Sequence, residues 1–290
     1  MLKIVEKTKI WFSISLAIIL IGVLLMATKG LNFGIDFKGG TKLVVEFGKE
    51  FNKEEVDKIV KNYDKNAVTK TVDKTQYEIK SKDLDETKTD ELVKELQKEY
   101  KLSDDCLKSQ SLIGPSLGKE LTRNAIISVT IACIAMMIYI AIRFEVNFGV
   151  AALISLVHDV LITIAVYAIF NIPINSSFIA AILTIVGYSI NDTIVIFDRI
   201  RENNKNMRRS NPIEVTNKSI NQTLARSINT SLTTLIVIGA VNIFVPTIRE
   251  FSFPLLIGIA AGAYSSIFIA SSVWVILTNK RNKKKNVVVN

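Results

Sequence analysis

Six long apolar runs dominate the pattern of hydrophobic and polar positions in this chain of 290 residues. The hydrocarbon layer of a bilayer is about 30 Å thick, so a helix that rises about 1.5 Å per residue needs roughly 20 residues to cross it. Each run is close to that length, and the pattern therefore predicts six transmembrane helices. In chain order the runs are residues 11–27, 125–142, 148–170, 178–197, 228–245 and 253–277.

Residues 30–123 separate the first two runs and contain many lysine and acidic residues but no apolar run of membrane length. Alternating and helical patterns predict the order β-α-β-β-α-β, which is typical of a ferredoxin-like split βαβ fold. The predicted elements are strand 41–47, helix 53–63 capped by Asn52, strands 67–72 and 76–81 around an Asp73-Lys74 turn, helix 86–100 and strand 106–113.

The sequence thus predicts a multi-span α-helical membrane protein with six transmembrane helices and a small α+β ferredoxin-like extracytoplasmic domain. The predicted parts are residues 1–29 (cytoplasmic N-terminus and first helix), 30–123 (extracytoplasmic domain), 124–278 (five transmembrane helices, with a cytoplasmic loop at 199–225) and 279–290 (basic cytoplasmic tail).

The net charge of +9 first suggests a nucleic-acid partner, but the distribution of the charge indicates a membrane protein. The short connections 171–176 and 246–252 hold just two charged residues, Arg249 and Glu250. Lysines and arginines instead concentrate at the N-terminus, in the tail and in the loop, where they are Arg199, Arg201, Lys205, Arg208, Arg209 and Lys218. The positive-inside bias places both termini in the cytoplasm. No basic patch alternates with aromatic residues, so we expect no nucleic-acid binding.

Two glycine motifs, GIDFKGG at 34–40 and IGPSLG at 113–118, flank the predicted outer domain. Neither has the spacing of a dinucleotide-binding or P-loop motif, so we interpret them as hinges rather than as phosphate sites. The predicted hinge residues are Gly34, Asp36, Gly39, Gly40, Gly114 and Gly118. The chain has no Cys/His cluster, and we expect neither a metal site nor a cofactor.

Polar residues inside the third and fourth runs need a partner or a function, because a charge at the bilayer centre costs about 2.5–3.5 kcal/mol. The third run carries a stripe with a spacing of four residues, namely Ser155, Asp159, Thr163 and Tyr167. In the fourth run Asn191 and Asp192 interrupt an apolar region, and Ser189 and Thr193 share a face with Asp192. Asp198 and Arg199 mark the cytoplasmic end of this run.

The fifth run begins with a second polar stripe, formed by Arg226, Asn229, Thr230, Thr233 and Thr234. We expect this stripe to face the third and fourth spans, with Arg226 extending toward Asp192. Burial favours a neutral carboxyl and a nearby guanidinium favours a charged one, so a movement of Arg226 would switch Asp192 between the two states. The predicted ion-coupling residues are Asp192, Arg226, Asn191 and Asp159. The alternative is that these groups only bond the helices together.

Two further features leave alternatives open. His158 is the only histidine, and its side chain is predicted to point about 100° away from that of Asp159 around the helix, so it serves either a proton relay or packing. Gly258, Ala261, Gly262 and Ser265 in the sixth run form a close-packing face, directed toward a partner subunit or toward a neighbour in the same chain.

Several ordered motifs together resemble the SecF family of bacterial protein-export subunits, within the resistance-nodulation-division superfamily. They are GIDFKGG at 34–40, SLVHD at 155–159, GYSINDT at 187–193, FDRIREN at 197–203, NQTLARSINT at 221–230 and PLLIG at 254–258. The resemblance covers nearly the whole chain. It implies a partner, SecD, association with the SecYEG channel and its motor SecA, and contact with the exported preprotein.

The resemblance also implies a function: a non-enzymatic subunit that uses the proton motive force to assist protein translocation. Asp192 and Arg226 match the positions that are important for ion coupling in the family. Two other functions stay open from the residues, a stand-alone ion-driven exporter of small molecules and a passive scaffold of the export complex. The residues also leave H⁺ and Na⁺ open as the coupling ion.

Overall fold

The computed structural model describes residues 2–72, 74–207 and 210–288. Asp73 of the predicted turn, Arg208 and Arg209 of the predicted loop, and the last two residues of the predicted tail lie outside the described residues. Internal contacts divide the chain into two compact units. The first comprises Met1–Leu31, Ser128–Ile172 and Ser177–Asn290, and the second comprises Asn32–Ile127 and Pro173–Ser176.

The described residues form α-helices and β-strands in the following order: α1 (Thr8–Lys29), α2 (Ile35–Lys38), β1 (Gly40–Glu46), α3 (Lys53–Tyr63), β2 (Val68–Val72), β3 (Gln76–Ser81), α4 (Glu86–Tyr100), β4 (Leu107–Ile113), α5 (Pro115–Arg143), α6 (Val146–Ile169), α7 (Ser176–Asn206), α8 (Pro212–Phe244), α9 (Arg249–Ser265) and α10 (Ser271–Val288). A π-helical turn, Ser266–Ala270, joins α9 to α10.

The second unit contains one antiparallel sheet with the strand order β2-β3-β1-β4. This order confirms the predicted ferredoxin-like fold, and the elements differ from the predicted ones by at most one residue at either end. Local chemistry accounts for the helix starts, because the Asn52 side chain accepts from the Glu54 amide and the Asp85 side chain accepts from the Lys88 amide. Alternate residues of the strands, among them Leu43 and Tyr77, are fully buried with α3 and α4 side chains.

The other face of the sheet carries a buried carboxylate, that of Glu78 on β3, whose side chain is 8% exposed. Lysine ammonium groups surround it at 3.1 Å from Lys42, 3.5 Å from Lys80 and 3.6 Å from Lys70. Burial alone would raise the pKa of Glu78, but the charges of Lys80, Lys70 and Lys42 outweigh that effect and hold the pKa below its ordinary value.

Glu78→Gln should destabilise the second unit at neutral pH by about 1–3 kcal/mol, because it removes a charged acceptor from three lysines. A depressed carboxyl pKa contributes stability above the unfolded pKa of about 4.3, and this contribution is lost as the pH falls through the folded pKa. Hydrogen exchange of β3 in the full chain at pH 7 and below pH 4 measures the difference.

The matched control is Glu50→Gln, because Glu50 is 75% exposed in its pair with Lys74 and should contribute nothing measurable. Equal exchange rates for the wild type and Glu78→Gln at pH 7 would contradict the stabilising role of this carboxylate.

Within the described residues, six helices are long and apolar enough to cross a membrane, as predicted. They are Val5–Lys29, Leu117–Ile140, Val146–Ile169, Ser176–Asn206, Pro212–Phe244 and Arg249–Asn282. Several extend beyond the apolar runs, so most of the predicted loop 199–225 is helical. Polar contacts stabilise these extra turns: Arg199 pairs with Glu202 at 2.7 Å, and Asn211 caps α8 by accepting from the Ile213 amide at 3.0 Å.

The N-terminal segment of the first unit is bonded to the start of α8. The Asn217 side-chain oxygen accepts from the amides of Ile4 and Val5, both at 3.1 Å, and its amino group donates to Glu6 at 2.8 Å. Asn217 is buried. The beginning of the first span and the beginning of the fifth span therefore lie on the same side of this unit.

The glycines of α9 pack against α7 of the same chain. A Cβ atom on Gly258 would lie 2.2 Å from Cδ1 of Ile185, and one on Gly262 would lie 3.0 Å from Cβ of Ser189. Of the two alternatives left open by the sequence, the structure supports the neighbour in the same chain for these two glycines. Small residues allow this close approach of helices in a membrane.

Candidate functional site

Two carboxylates are buried among the helices of the first unit, Asp159 on α6 and Asp192 on α7. Asp159 is fully buried and Asp192 is 4% exposed. Both positions come from the predicted coupling set, and both lie inside predicted spans. Their surroundings differ in how many hydrogen-bond donors each carboxylate meets.

Asp159 is held by contacts from three side chains. Ser189 on α7 donates at 2.5 Å and Ser265 on α9 donates at 2.9 Å, while Nδ1 of His158 lies 2.9 Å from the other carboxylate oxygen. The network extends further, because Ser155 donates to Ser265 at 2.9 Å. Asp159 therefore ties α6 to α7 and α9.

His158 joins this network to α1, because its Nε2 lies 2.8 Å from Oγ of Ser15. The prediction that the His158 side chain points away from Asp159 is wrong, since Nδ1 is within hydrogen-bond distance of the carboxylate. Adjacent Cβ atoms do diverge by about 100° around a helix, but rotation about the side-chain bonds brings the two polar ends together.

Asp192 has a sparser environment. Within the described residues its carboxylate accepts one side-chain hydrogen bond, from Ser231 on α8 at 3.0 Å. Ser227, one helical turn before Ser231, is 2% exposed, and its hydroxyl has no hydrogen-bond partner among the described residues. The buried face of α8 thus carries the Ser231 hydroxyl, which bonds to Asp192, and one turn earlier the Ser227 hydroxyl, which has no partner among the described residues.

Arg226 is exposed and lines an open cleft of about 330 Å³ together with Asp198, Arg199, Glu202, Gln222 and other residues of α7 and α8. In the part of the chain that the structure describes, no ion pair joins Arg226 to Asp192. Arg226 precedes Ser231 by five residues, which is about 7.5 Å along the helix axis. Its predicted approach to Asp192 stays a prediction.

The prediction that the polar stripe of the fifth span faces the third and fourth spans is wrong for Asn229 and Thr233, which are exposed. The Thr233 hydroxyl bonds to its own helix, at 2.9 Å from the Asn229 carbonyl oxygen. The buried face of α8 instead carries Ser227 and Ser231. Successive residues of a helix point about 100° apart, so the predicted stripe lies on the face next to the buried one.

Thr230 and Thr234, at the border of the stripe, do meet α7. The Tyr188 hydroxyl contacts the Thr234 hydroxyl at 3.0 Å and the Thr230 carbonyl oxygen at 3.1 Å. Asn191 is exposed, so the structure does not bring it into the buried network with Asp192.

Asp198 and Arg199 form surface contacts at the predicted cytoplasmic end of the fourth span. Asp198 pairs with Arg201 at 3.2 Å, and the Arg199 Nε donates to the Gln222 side chain at 2.7 Å. Asn203, which is buried, donates to the same Gln222 oxygen at 2.8 Å. These contacts join the end of α7 to the start of α8.

The predicted hinge residues pack closely within the second unit. The Gly34 amide donates to the Ile174 carbonyl at 2.7 Å, and Asp36 accepts from the Ser176 amide at 2.8 Å.

Three further glycines of this set have a positive φ or little room for a side chain. Gly40 has a φ of 144°, and an added Cβ would lie 2.5 Å from the Ser81 carbonyl oxygen. The Gly118 amide donates to the Gly114 carbonyl at 3.1 Å. A Cβ atom added at Gly118 would lie 2.7 Å from the Phe37 carbonyl oxygen. Gly39 also has a positive φ, 82°. A hinge role for this set stays a prediction.

Sequence reasoning missed three buried serines near the two carboxylates, Ser15, Ser227 and Ser231. Ser227 and Ser231 are spaced four residues apart at the start of the fifth apolar run, which is a detectable signal for one helix face. Ser15 stands alone in its run, and nothing in the sequence connects it to His158. Across the described ranges no group of three or more His, Cys, Asp or Glu side chains could hold a metal ion.

Comparisons with known proteins identify the family. The family model described as protein export membrane protein SecD/SecF, C-terminal, matches residues 92–280, and the model of the SecD/SecF GG motif matches residues 24–50. The first match covers more than half of the chain. The chain belongs to the SecD/SecF family.

Among the relatives, the protein translocase subunit SecF of Sebaldella termitidis is 38% identical over 98% of this chain and 93% of that protein. The protein translocase subunit SecDF of Bacillus subtilis is 36% identical, over 96% of this chain and 38% of that longer protein. The crystal structure of SecDF from Thermus thermophilus, described as a translocon-associated membrane protein, matches 96% of this chain and 39% of its own, with 34% identity and a TM-score of 0.82. The resemblance seen in the motifs is thus confirmed.

Gly258→Ala should destabilise the first unit by about 1–3 kcal/mol, because its Cβ would overlap three atoms of the Ile185 side chain, all within 2.8 Å. Thermal unfolding of the detergent-solubilised chain measures the loss.

The control is Gly239→Ala on α8, where an added Cβ meets nothing within 4 Å and stability should not fall. The interpretation of tight α7–α9 packing fails if Gly258→Ala and Gly239→Ala unfold at the same temperature.

Proposed function

We propose that this protein is an ion-driven subunit of the protein-export machinery, which works with SecD beside the SecYEG channel and SecA to assist translocation of preproteins. The family assignment and the names of its relatives support a role in protein export. The Bacillus subtilis and Thermus thermophilus relatives, which are named SecDF, support SecD as the partner. The proton motive force is the proposed energy source.

The contrast between the two buried carboxylates carries this proposal. Asp159 has contacts from Ser189, Ser265 and His158, so it is suited to holding three helices together. Asp192 receives one hydrogen bond, from Ser231. A buried carboxylate with so few donors is a suitable group for a change of charge. Asp192 is therefore the proposed titrating group, and Asp159 is the proposed link between the helices.

The unsatisfied Ser227 hydroxyl supplies the second element of the mechanism. It lies one turn from Ser231 on a buried face, and a hydroxyl can accept a hydrogen bond as well as donate one. Together with Asp192 and Ser231 it offers oxygen ligands for a hydrated proton or for a sodium ion. The chemistry of these oxygens suits either ion, so the choice between H⁺ and Na⁺ is a matter for experiment.

Arg226 is the proposed control on the charge of Asp192. In the present arrangement its side chain is exposed in the cleft with Asp198 and Glu202. A movement that turns the guanidinium toward Asp192 would stabilise the ionised carboxylate, and its withdrawal would favour protonation. Each elementary charge that crosses 100 mV is worth about 2.3 kcal/mol, which is enough to shift a conformational equilibrium.

The exposed polar stripe of α8 is the proposed contact surface for SecD. Asn229 and Thr233 are exposed within a predicted span, and polar groups that face lipid are unfavourable. This chain matches less than two fifths of the SecDF relatives, and the remainder of such a protein is a natural partner for the stripe. Hydrogen bonds between helices would then satisfy Asn229 and Thr233.

The proposed orientation has both termini in the cytoplasm and the second unit outside it, in accordance with the distribution of basic residues. The change in charge of Asp192 would shift the membrane helices, and the glycine motifs at 34–40 and 113–118 would transmit the shift to the second unit. No enzymatic step is part of this proposal.

A translocation assay in proteoliposomes that contain SecYEG, SecA, SecD and this subunit tests the proposal. With an imposed pH or sodium gradient, the wild type should stimulate preprotein translocation, whereas Asp192→Asn and Arg226→Met should lose the gradient-dependent part. Varying the two gradients separately identifies the ion.

Thr184→Val is the control, because Thr184 is on the same helix as Asp192, is exposed and bonds to its own Ala180 carbonyl. It should retain full stimulation. If an uncoupler leaves the wild-type contribution unchanged, or if both variants stimulate normally, the subunit is a passive scaffold and the proposal is wrong.

A further inference from the structure

A groove of about 260 Å³ lies between α1, α6 and α9 of the first unit, and no part of the proposed export mechanism uses it. Its walls consist mainly of isoleucine and alanine side chains, among them Ile14, Ile18, Ile162 and Ala260. Every residue of the lining belongs to one of the six candidate membrane spans. The groove therefore lies in the part of the chain that crosses the membrane.

The polar side chains of the groove, those of Ser15, His158 and Tyr264, already have hydrogen-bond partners. Nε2 of His158 lies 2.8 Å from Oγ of Ser15, and Nδ1 lies 2.9 Å from the Asp159 carboxylate. The Tyr264 hydroxyl donates to the Trp11 carbonyl oxygen at 2.7 Å. A buried water needs two to four polar partners, and apolar cavities stay dry. The groove is therefore better suited to a hydrocarbon group than to water or a polar ligand.

The groove lies near the middle of the helices that form it. Ser15 comes 10 residues after the first residue of its span and 14 before the last. His158 comes 12 residues after the first residue of its span and 11 before the last. At about 1.5 Å per residue these separations are about 15–21 Å, comparable with half of a hydrocarbon layer about 30 Å thick. A phospholipid reaches this depth with the methyl end of an acyl chain.

The helix surface around the groove is apolar. Apart from Ser13, the exposed residues of α1 between positions 13 and 24 are apolar. Ile154 and Val157, which are exposed on α6 within about one turn of His158, are apolar as well. The exposed polar residues Asn229 and Thr233, which form the proposed contact with SecD, lie instead on α8. Lipid tails are as apolar as leucine, so the surface around the groove is suited to face lipid.

We propose that this groove binds the methyl-terminal part of a phospholipid acyl chain. The chain packs against Ile14, Ile18 and Ile162 and ends beside the contact between Ser15 and His158, which joins α1 to α6. It supplies van der Waals partners to side chains that would otherwise lack them on one side. The bound chain thereby stabilises the packing of α1 on α6 and α9. A helix of a partner subunit is the alternative occupant, and the apolar surroundings favour the lipid.

Photolabelling of the full chain in proteoliposomes, followed by mass spectrometry of its peptides, tests this inference. The two probes are phosphatidylcholines with a diazirine either at the methyl end of an acyl chain or next to its carbonyl group. The methyl-end probe should label Ser15 and His158, which line the groove and are only 5% and 8% exposed. The carbonyl-end probe should label the ends of the helices instead, because the groove lies about 15 Å or more from them.

Ala260→Phe tests whether labelling occurs through the groove, because Ala260 lines the groove, is exposed, and would place a ring in the space of the chain. Labelling of Ser15 and His158 by the methyl-end probe should fall about tenfold, which corresponds to about 1.4 kcal/mol of lost binding. The matched control is Ala17→Phe, because Ala17 is exposed on α1 and is not among the residues that line the groove. It should retain wild-type labelling.

Leu20, which is exposed on α1, should be labelled equally in the wild type and both variants, and all three proteins should unfold at the same temperature in detergent. A wild type without labelled Ser15 and His158 would overturn the proposal, whatever the variants do. So would labelling that Ala260→Phe leaves unchanged. Loss of the labelling when SecD is reconstituted with this chain would identify a SecD helix as the occupant and also overturn it. None of these measurements depends on export activity.

Discussion

A carboxylate removed from water must find its hydrogen-bond donors within the protein, and the arrangement of the membrane helices depends on how Asp159 meets this requirement. Its donors come from α7 and α9, and His158 extends the network to Ser15 on α1. The helices must approach closely for these short contacts to form. The glycines of α9 allow that approach, since larger residues at 258 and 262 would overlap α7. The small residues of α9 and the buried side chain of Asp159 thus act together.

Much of this architecture could be predicted from the sequence because its signals are strong and local. Apolar runs of membrane length stand out from a charged domain, and all six appear as helices. In the second unit, Asn52 and the alternation along β1 and β3 identify helix starts and buried faces by chemistry that involves only nearby residues. The ferredoxin-like strand order follows once those elements are correct.

The site was harder to predict, because it depends on helix rotation and on contacts between distant segments. Periodicity found a polar stripe on α8 that includes Asn229 and Thr233, but apolar patterning cannot show which side a neighbouring helix covers. The buried face lies about 100° away, with Ser227 and Ser231. Likewise, 143 positions separate Ser15 from His158, and only the packing of α1 on α6 brings them together. Asp159 and Asp192 were identifiable because a charge in an apolar run is conspicuous.

The hydrogen bonds of Asn217 have a mechanical consequence. This side chain binds the amides of Ile4 and Val5 at the start of α8, the helix that carries Ser231 and Arg226 farther along. The first span continues directly from that attachment and ends at Lys29, two residues before the last residue of this part of the first unit, Leu31. A rigid helix transmits displacement along its length. The start of the first span is accordingly fixed to α8, so a displacement of the beginning of α8 would move the beginning of the first span with it.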